Sequence, residues 1–416
     1  MKEKWSSYEN VLVVLLFMSI GFVFFDRLAI NFLFPFMRAD FGLSHTQMGM
    51  LSSVLAFTWA ATGYFLGQYS EAKSKRKVVL VTSVVVFSLC SVASGLAQSF
   101  MMLMIVRAVM GLAEGPTLPI SQSLMAIESS EKRRGFNMGF IQASAAGLFG
   151  SVLGPALIVP LAMHFGWRTA FYVVGIPGLL LAALLSRFVR EPAARTARIN
   201  LSTAEKKPRF REVLGYRNVW ICILISCAFI TWYYAFLAFA PSYLIEQRHF
   251  APSQMAWIMS LIGLANVIGG FGVPALSDRL GRKSMMIIFS VASILTPLVL
   301  IFFHAAFPLF ALVLFLTYLG HGCFPLFMAT IPSETVPAAC LTRTIGLVIG
   351  VGEIVGGFVS PTIAGSAADH FGAAAPFYMA AGAATLAAVL SLFLQETAPC
   401  KRVAVGTEPK SFNQPI

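Results

Sequence analysis

At 416 residues the chain is 57% hydrophobic and only 12% charged, with a mean hydropathy of +0.78. A water-soluble domain carries about 25% charged residues, so a soluble enzyme is excluded. The net charge of +12 would suit a nucleic-acid binder, but its placement in alternate loops between apolar runs argues for a membrane protein facing anionic lipid instead.

Apolar runs long enough to cross a bilayer, roughly 20 residues each, occur at 11–37, 47–69, 78–98, 101–125, 136–161, 169–189, 217–245, 253–276, 284–304, 307–331, 343–364 and 374–395. They predict an all-α membrane protein of twelve spans. The first run is too long for a signal-peptide core and is expected to stay as an uncleaved helix. Its centre, "GFVFFDRLAINFLFPFM", holds Asp26 and Arg27, where each charge costs about 2.5–3.5 kcal/mol on insertion scales. Helical neighbours point about 100° apart, so the two cannot neutralise each other on one face. Arg27 shares its face with Asn31, and Asp26 with Phe22 and Ile30. The wall of the span (Phe22, Phe24, Phe25, Phe32, Phe34, Phe36) is poor in hydroxyl-binding groups.

Span 4, "RAVMGLAEGPTLP", places Arg107 and Glu114 two turns apart on one face, with Gly111 between them expected to clear space. Span 5 carries Gln142 at membrane depth and "GSVLGPAL" from Gly150 to Leu157. Span 7 carries Thr231, Trp232, Tyr233 and Tyr234; span 8 carries Asn266; span 10 carries His321. In span 11, Gly346, Gly350, Glu353 and Gly357 form one stripe, expected to allow close helix approach. The six cysteines (90, 222, 227, 323, 340, 400) lack metal-site spacing, and five fall in or at the ends of apolar spans. They imply neither a disulfide framework nor a metal centre.

Basic residues cluster after span 2 (Lys73, Lys75, Arg76, Lys77), span 4 (Lys132, Arg133, Arg134) and span 8 (Arg279, Arg282, Lys283), and crowd 187–217. The opposite loops hold only Arg38, Arg168 and Arg248. This asymmetry puts both termini in the cytoplasm. An offset of 207 carries Thr46-Gln47-Met48 onto Ser253-Gln254-Met255, Gly63 onto Gly270, and Glu114-Gly115 onto His321-Gly322. The chain therefore reads as two parallel six-helix halves, 1–190 and 217–398, joined by a cytoplasmic linker at 191–216 and followed by a tail at 399–416. Such halves hold substrate between them near the midplane. Trp232 to Tyr234 fall opposite Asp26 in the repeat (26 + 207 = 233), and His321 opposite Glu114 (114 + 207 = 321).

The loop "SDRLGRK" from Ser277 to Lys283 resembles the signature loop of the major facilitator superfamily. Its counterpart "GQYSEAKSKRK" is a degraded copy with Ser74 where a glycine is usual. A buried arginine keeps its charge and offers a planar fork matched to a carboxylate, while a desolvated carboxylic acid can hold a proton near neutral pH. An obligate cation beside two titratable acids suits the joint carriage of an organic anion and protons.

"FFDRLAINFLFPFM", "R-x6-EGPTLP" and "FAPSYLIEQRHFAPSQ" are similar to the anion:cation symporter family, which includes bacterial galactonate, glucarate and hexuronate transporters and the sialic acid and vesicular glutamate carriers. The resemblance covers roughly 10–398. It implies that Arg27 contacts the substrate carboxylate, that Asp26 and Glu114 exchange protons, and that Arg107 pairs with Glu114 and controls its protonation. Sugar-acid members often carry a tyrosine two residues before the aspartate, where this chain has Phe24.

The expected substrate-lining residues are Arg27, Asn31, Gln142, Trp232, Tyr233, Tyr234 and Asn266. The expected proton-coupling residues are Asp26, Arg107, Glu114 and Glu353. The function expected is proton-coupled uptake of a small organic anion across the inner membrane, by a monomer whose partners are the anion, protons and lipid, with no cofactor and no nucleic acid. The alternative is a proton-driven efflux antiporter, suggested by "GSVLGPAL". A signalling receptor would need a larger cytoplasmic module than the tails provide, and no nucleophile or metal motif suggests an enzyme.

Overall fold

The computed structural model describes residues 7–130, 133, 137, 138, 140, 141, 145–192, 215–337, 340–398 and 401. Among these all regular structure is helical, and eleven helices are long and apolar enough to cross a membrane. The remaining expected span, 47–69, lies in the helix His45–Ala72. Gln142, Cys400 and residues 193–214 of the expected linker lie outside the described residues. Cys90, Cys222, Cys227 and Cys323 are in no disulfide.

Spans 1 to 3 are the helices Ser7–Phe41, His45–Ala72 and Arg76–Gly95. Span 4 is interrupted at Gly115-Pro116, between Phe100–Glu114 and Thr117–Glu128. Span 5 passes from a π-helical stretch, Ala146–Leu153, into Gly154–Phe165, and span 6 is Trp167–Phe188. Spans 7 to 9 are Arg217–Glu246, Pro252–Leu280 and Arg282–Phe302. Span 10 tightens from Phe307–Tyr318 into a 3₁₀ turn, Leu319–Cys323, then widens into a π stretch, Leu326–Thr330. Span 11 runs Leu341–Gly352, π-helical Glu353–Val359 and Ser360–Phe371; span 12 is Ala375–Leu392. Such π stretches collect at functional sites in helices.

Apolar side chains gain little by leaving lipid for protein, so helix contacts in a membrane rely on small residues. In span 4 a Cβ on Gly111 would meet Thr58 Oγ1 at 2.1 Å, and one on Gly115 would meet Thr62 Oγ1 at 2.2 Å. Gly111 therefore clears space for span 2, not for the Arg107–Glu114 pair as expected. At the repeat-equivalent crossing, Gly322 of span 10 lies against Gly269 of span 8, where a Cβ would meet the carbonyl oxygen at 2.3 Å. Gly150 and Gly154 of "GSVLGPAL" pack on Phe24, Leu28 and Phe32 of span 1, so helix packing accounts for that element.

The glycine stripe of span 11 departs from expectation. A Cβ on Gly346 or Gly350 would meet nothing within 4 Å, while Gly352 and Gly356, on a neighbouring face, press against Ser226 and Ile230 of span 7. Glycines at 346 and 350 thus border open space rather than a helix contact.

Left-handed turns link the spans. Gly281 has φ +99 in the signature loop, and Ser74, its repeat counterpart, holds φ +50 without being glycine. After each of these turns a distant glutamate caps the next helix. Glu191 accepts from the backbone N–H of Arg76 (2.9 Å) and Lys77 (2.7 Å). Glu396 accepts from the backbone N–H of Arg282 (2.8 Å) and Lys283 (3.3 Å). A carboxylate at a helix N-terminus satisfies orphan N–H groups and the helix dipole together. Arg282 also pairs with Asp278 (2.6 Å) and Glu334 (2.8 Å).

The chain forms two compact units, Met1–Thr203 with Ala240–Leu264, and Ala204–Phe239 with Ala265–Ile416. Within the first unit, Arg38 ion-pairs with Glu246 and bonds His45 Nε2 (3.2 Å), and Ser260 Oγ donates to the Val152 carbonyl (2.9 Å).

Candidate functional site

The interruption of span 4 and its glycine contacts with span 2 hold Arg107 and Glu114 inside the first unit, against the centre of span 1. Asp26 is 2% exposed, Arg107 1% and Glu114 0%. Ser91 Oγ of span 3 donates to Asp26 Oδ1 at 2.5 Å. Arg107 Nη1 points to the main-chain carbonyl of Asp26 and to Met110 Sδ, both at 3.5 Å.

Arg107 and Glu114 are not paired, contrary to what the family resemblance implied. Both carboxylate oxygens of Glu114 are buried without a hydrogen-bond partner, as are Nε and Nη2 of Arg107. Seven residues of helix rise about 10.5 Å, and Nη1 of the guanidinium is directed to the Asp26 carbonyl of span 1 and to Met110 rather than to Glu114. The Arg27 guanidinium lies 5.1 Å from the Trp59 ring centroid, a cation–π contact. Asn31 Oδ1, one turn along the same face, is buried and unpartnered. An unmade hydrogen bond at a buried polar group costs about 1–3 kcal/mol, and more at a charged one, so a cargo that completes these groups gains correspondingly.

In the second unit, Tyr234 Oη donates to Glu353 Oε2 at 3.5 Å, and Glu353 opens the π stretch beside the unfilled faces of Gly346 and Gly350. The His321 ring stacks on Phe324 at 4.2 Å and lies 5.3 Å from Tyr233, with Nδ1 buried and unpartnered. Tyr233, Tyr234, His321 and Glu353 are each partly exposed. Trp232 is not. It is fully buried among Phe229, Phe236 and Tyr318, and its indole N–H is spent on the Ser293 carbonyl at 2.9 Å. Asn266 is half-buried in span 8. No group of three or more metal-ligating side chains occurs among the described residues.

Sequence reading passed over Ser91 and Trp59. Ser91 belongs to a run of serines (Ser88, Ser91, Ser94) that reads as ordinary helix packing. Trp59 carried one usable signal, since it is the repeat counterpart of Asn266 (59 + 207 = 266).

Twelve apolar spans with a duplicated signature loop and a charged group buried in the first half define a transporter fold. The chain belongs to the major facilitator superfamily, whose family model matches residues 16–351 and 249–414. It is 30% identical over 295 residues to the hexuronate transporter of Bacillus subtilis, covering 67% of this chain and 68% of that one. It is 28% identical over 343 residues to a probable 4-methylmuconolactone transporter of Cupriavidus pinatubonensis, covering 80% and 78% respectively. Among solved structures it is similar to a D-xylose–proton symporter, with a TM-score of 0.74 at 19% identity over 94% of this chain and 99% of that one. The chain is a multi-pass membrane transporter and not an enzyme.

Proposed function

We propose that the protein couples the uptake of a small organic anion to the inward movement of protons by alternating access. The observation that carries this is the group formed by Asp26, Arg27, Arg107 and Glu114. Four charged side chains share one buried region of the first unit, with guanidinium N–H groups of Arg107 and both oxygens of Glu114 unspent. Arg27 is the anchor for the carboxylate. Asp26, held by Ser91, and Glu114 carry protons, and their protonation releases the arginines to the anion. Asn31 extends the candidate lining of the first unit, and Tyr233, Tyr234 and Asn266, with Glu353 as a further acid, are the candidate lining of the second. The protein works as a monomer in the inner membrane with both termini cytoplasmic, its two halves joined by the linker 191–216. Relatives named for a hexuronate and for a methylmuconolactone agree with an organic-acid cargo.

Two measurements test this. Thermal stabilisation across hexuronates, unsaturated ring-cleavage acids and aliphatic acids identifies the cargo, because a true ligand raises the melting point by mass action. Uptake of that acid into proteoliposomes under an imposed pH gradient is then run beside counterflow exchange. Asp26→Asn and Glu114→Gln should lose uphill accumulation and keep exchange, which does not require the carrier to return empty and deprotonated. Full accumulation by both variants would remove these acids from the coupling.

A further inference from the structure

Beyond Glu114, span 4 continues with two hydroxyls that the function described so far does not use. Thr117 and Ser121 lie three and seven residues on, so they share the face of Glu114. Both are fully buried, and neither Thr117 Oγ1 nor Ser121 Oγ has a hydrogen-bond partner. A hydroxyl in a membrane helix ordinarily bonds the carbonyl four residues back. Ser19, Ser88, Ser94, Thr344 and Ser391 all do so here, at 2.7–2.9 Å. Thr117 and Ser121 do not, so both hydroxyls are left buried without a partner from their own helix.

Glu114, Thr117 and Ser121 follow one another on this face, and none of their side-chain oxygens is hydrogen-bonded to another. One water between neighbours gives each of them a partner. A buried water needs two or more polar partners, and the Glu114 oxygens and the two hydroxyls supply them. We infer that Thr117 and Ser121 form a hydrated relay that carries the proton of Glu114 along span 4, away from Asp26 and Arg27. The inference rests on the reading of Glu114 as a proton carrier given above.

The step balances. The O–H bond of Glu114 breaks and its proton passes to the first water. That water gives one of its own protons to the Thr117 hydroxyl, which releases its own to the next water, and so on to the water beyond Ser121, from which the proton leaves to bulk water when that end of the carrier opens. Each hydroxyl and water is restored, and one carboxylate remains, facing Arg27 and Arg107. Leu124 and Met125, both fully buried, close the file beyond Ser121. Ser129, four residues beyond Met125, accepts from Asn137 Nδ2 (3.0 Å), which also donates to Glu9 (2.9 Å). The apolar turn keeps the relay from being an open proton leak.

The test needs no cargo. In the purified full chain, the carboxylic C=O infrared band that is missing from Glu114→Gln reports protonated Glu114. Its decay is followed after a jump to higher pH. Thr117→Val, which keeps the shape and removes the hydroxyl, should slow that decay several-fold, as should Ser121→Ala. Thr117→Ser should restore the wild-type rate, which a purely steric role would not predict. Decay at the wild-type rate in both Thr117→Val and Ser121→Ala overturns the relay, as does equal slowing in Thr117→Ser. A Glu114 band absent at every pH would instead overturn the reading of Glu114 as proton carrier, so the two failures are distinguishable.

Discussion

Arg27 and Arg107 lie in the same buried group but are held differently. Arg27 rests against an indole face, while Arg107 is turned onto a main-chain carbonyl. We propose Arg27 as the substrate anchor because its guanidinium keeps its charge and matches a carboxylate. A charge-assisted bond contributes about 1.5–3 kcal/mol, so Arg27→Ala should weaken binding by roughly ten- to a hundred-fold. Arg27→Lys, which keeps the charge without the planar fork, should also bind markedly more weakly. Titration calorimetry with the acid found in the stabilisation panel reads both; wild-type affinity in Arg27→Ala would place the carboxylate elsewhere. The four charged residues were legible because charge in an apolar run has few innocent explanations. The contact between Arg107 and Glu114 was misread because a shared face does not bring side chains two turns apart into reach. Ser91 escaped notice because hydroxyls are common in membrane helices and usually satisfy themselves.

At the scale of elements, twelve runs and their loops were readable from hydropathy and charge, and the helices fall where those runs lie. The irregular stretches were not. A π or 3₁₀ turn changes the screw of a helix without changing its composition, so no hydropathy pattern announces it. The glycine stripe of span 11 was misassigned for the related reason that small residues mark close approach without naming the partner. The turn at Ser74 was flagged by its departure from glycine, and the structure shows that the left-handed conformation persists there. A side chain in that conformation costs roughly 1–2 kcal/mol. Ser74→Gly is therefore expected to raise the melting temperature with transport unchanged, as checked by thermal unfolding in detergent. A lowered melting temperature would mean that the serine hydroxyl contributes more than the strain costs.

For the whole molecule, the loop charges assign the two faces. A cysteine placed at Ser44 or Gly372 should react with an impermeant reagent from outside sealed cells, and one at Ser202 should not. Reaction at Ser202 would invert the orientation. The π stretches of spans 5 and 11 begin at Ala146 and Glu353, 207 residues apart, the same offset that relates Ser74 to Gly281. At that offset Asp26 answers to Tyr233 and Glu114 to His321. The two six-helix sets thus share a loosened segment while one carries charge where the other carries rings, so a substitution at Tyr233 or His321 changes its own set without removing an ionic partner from the other.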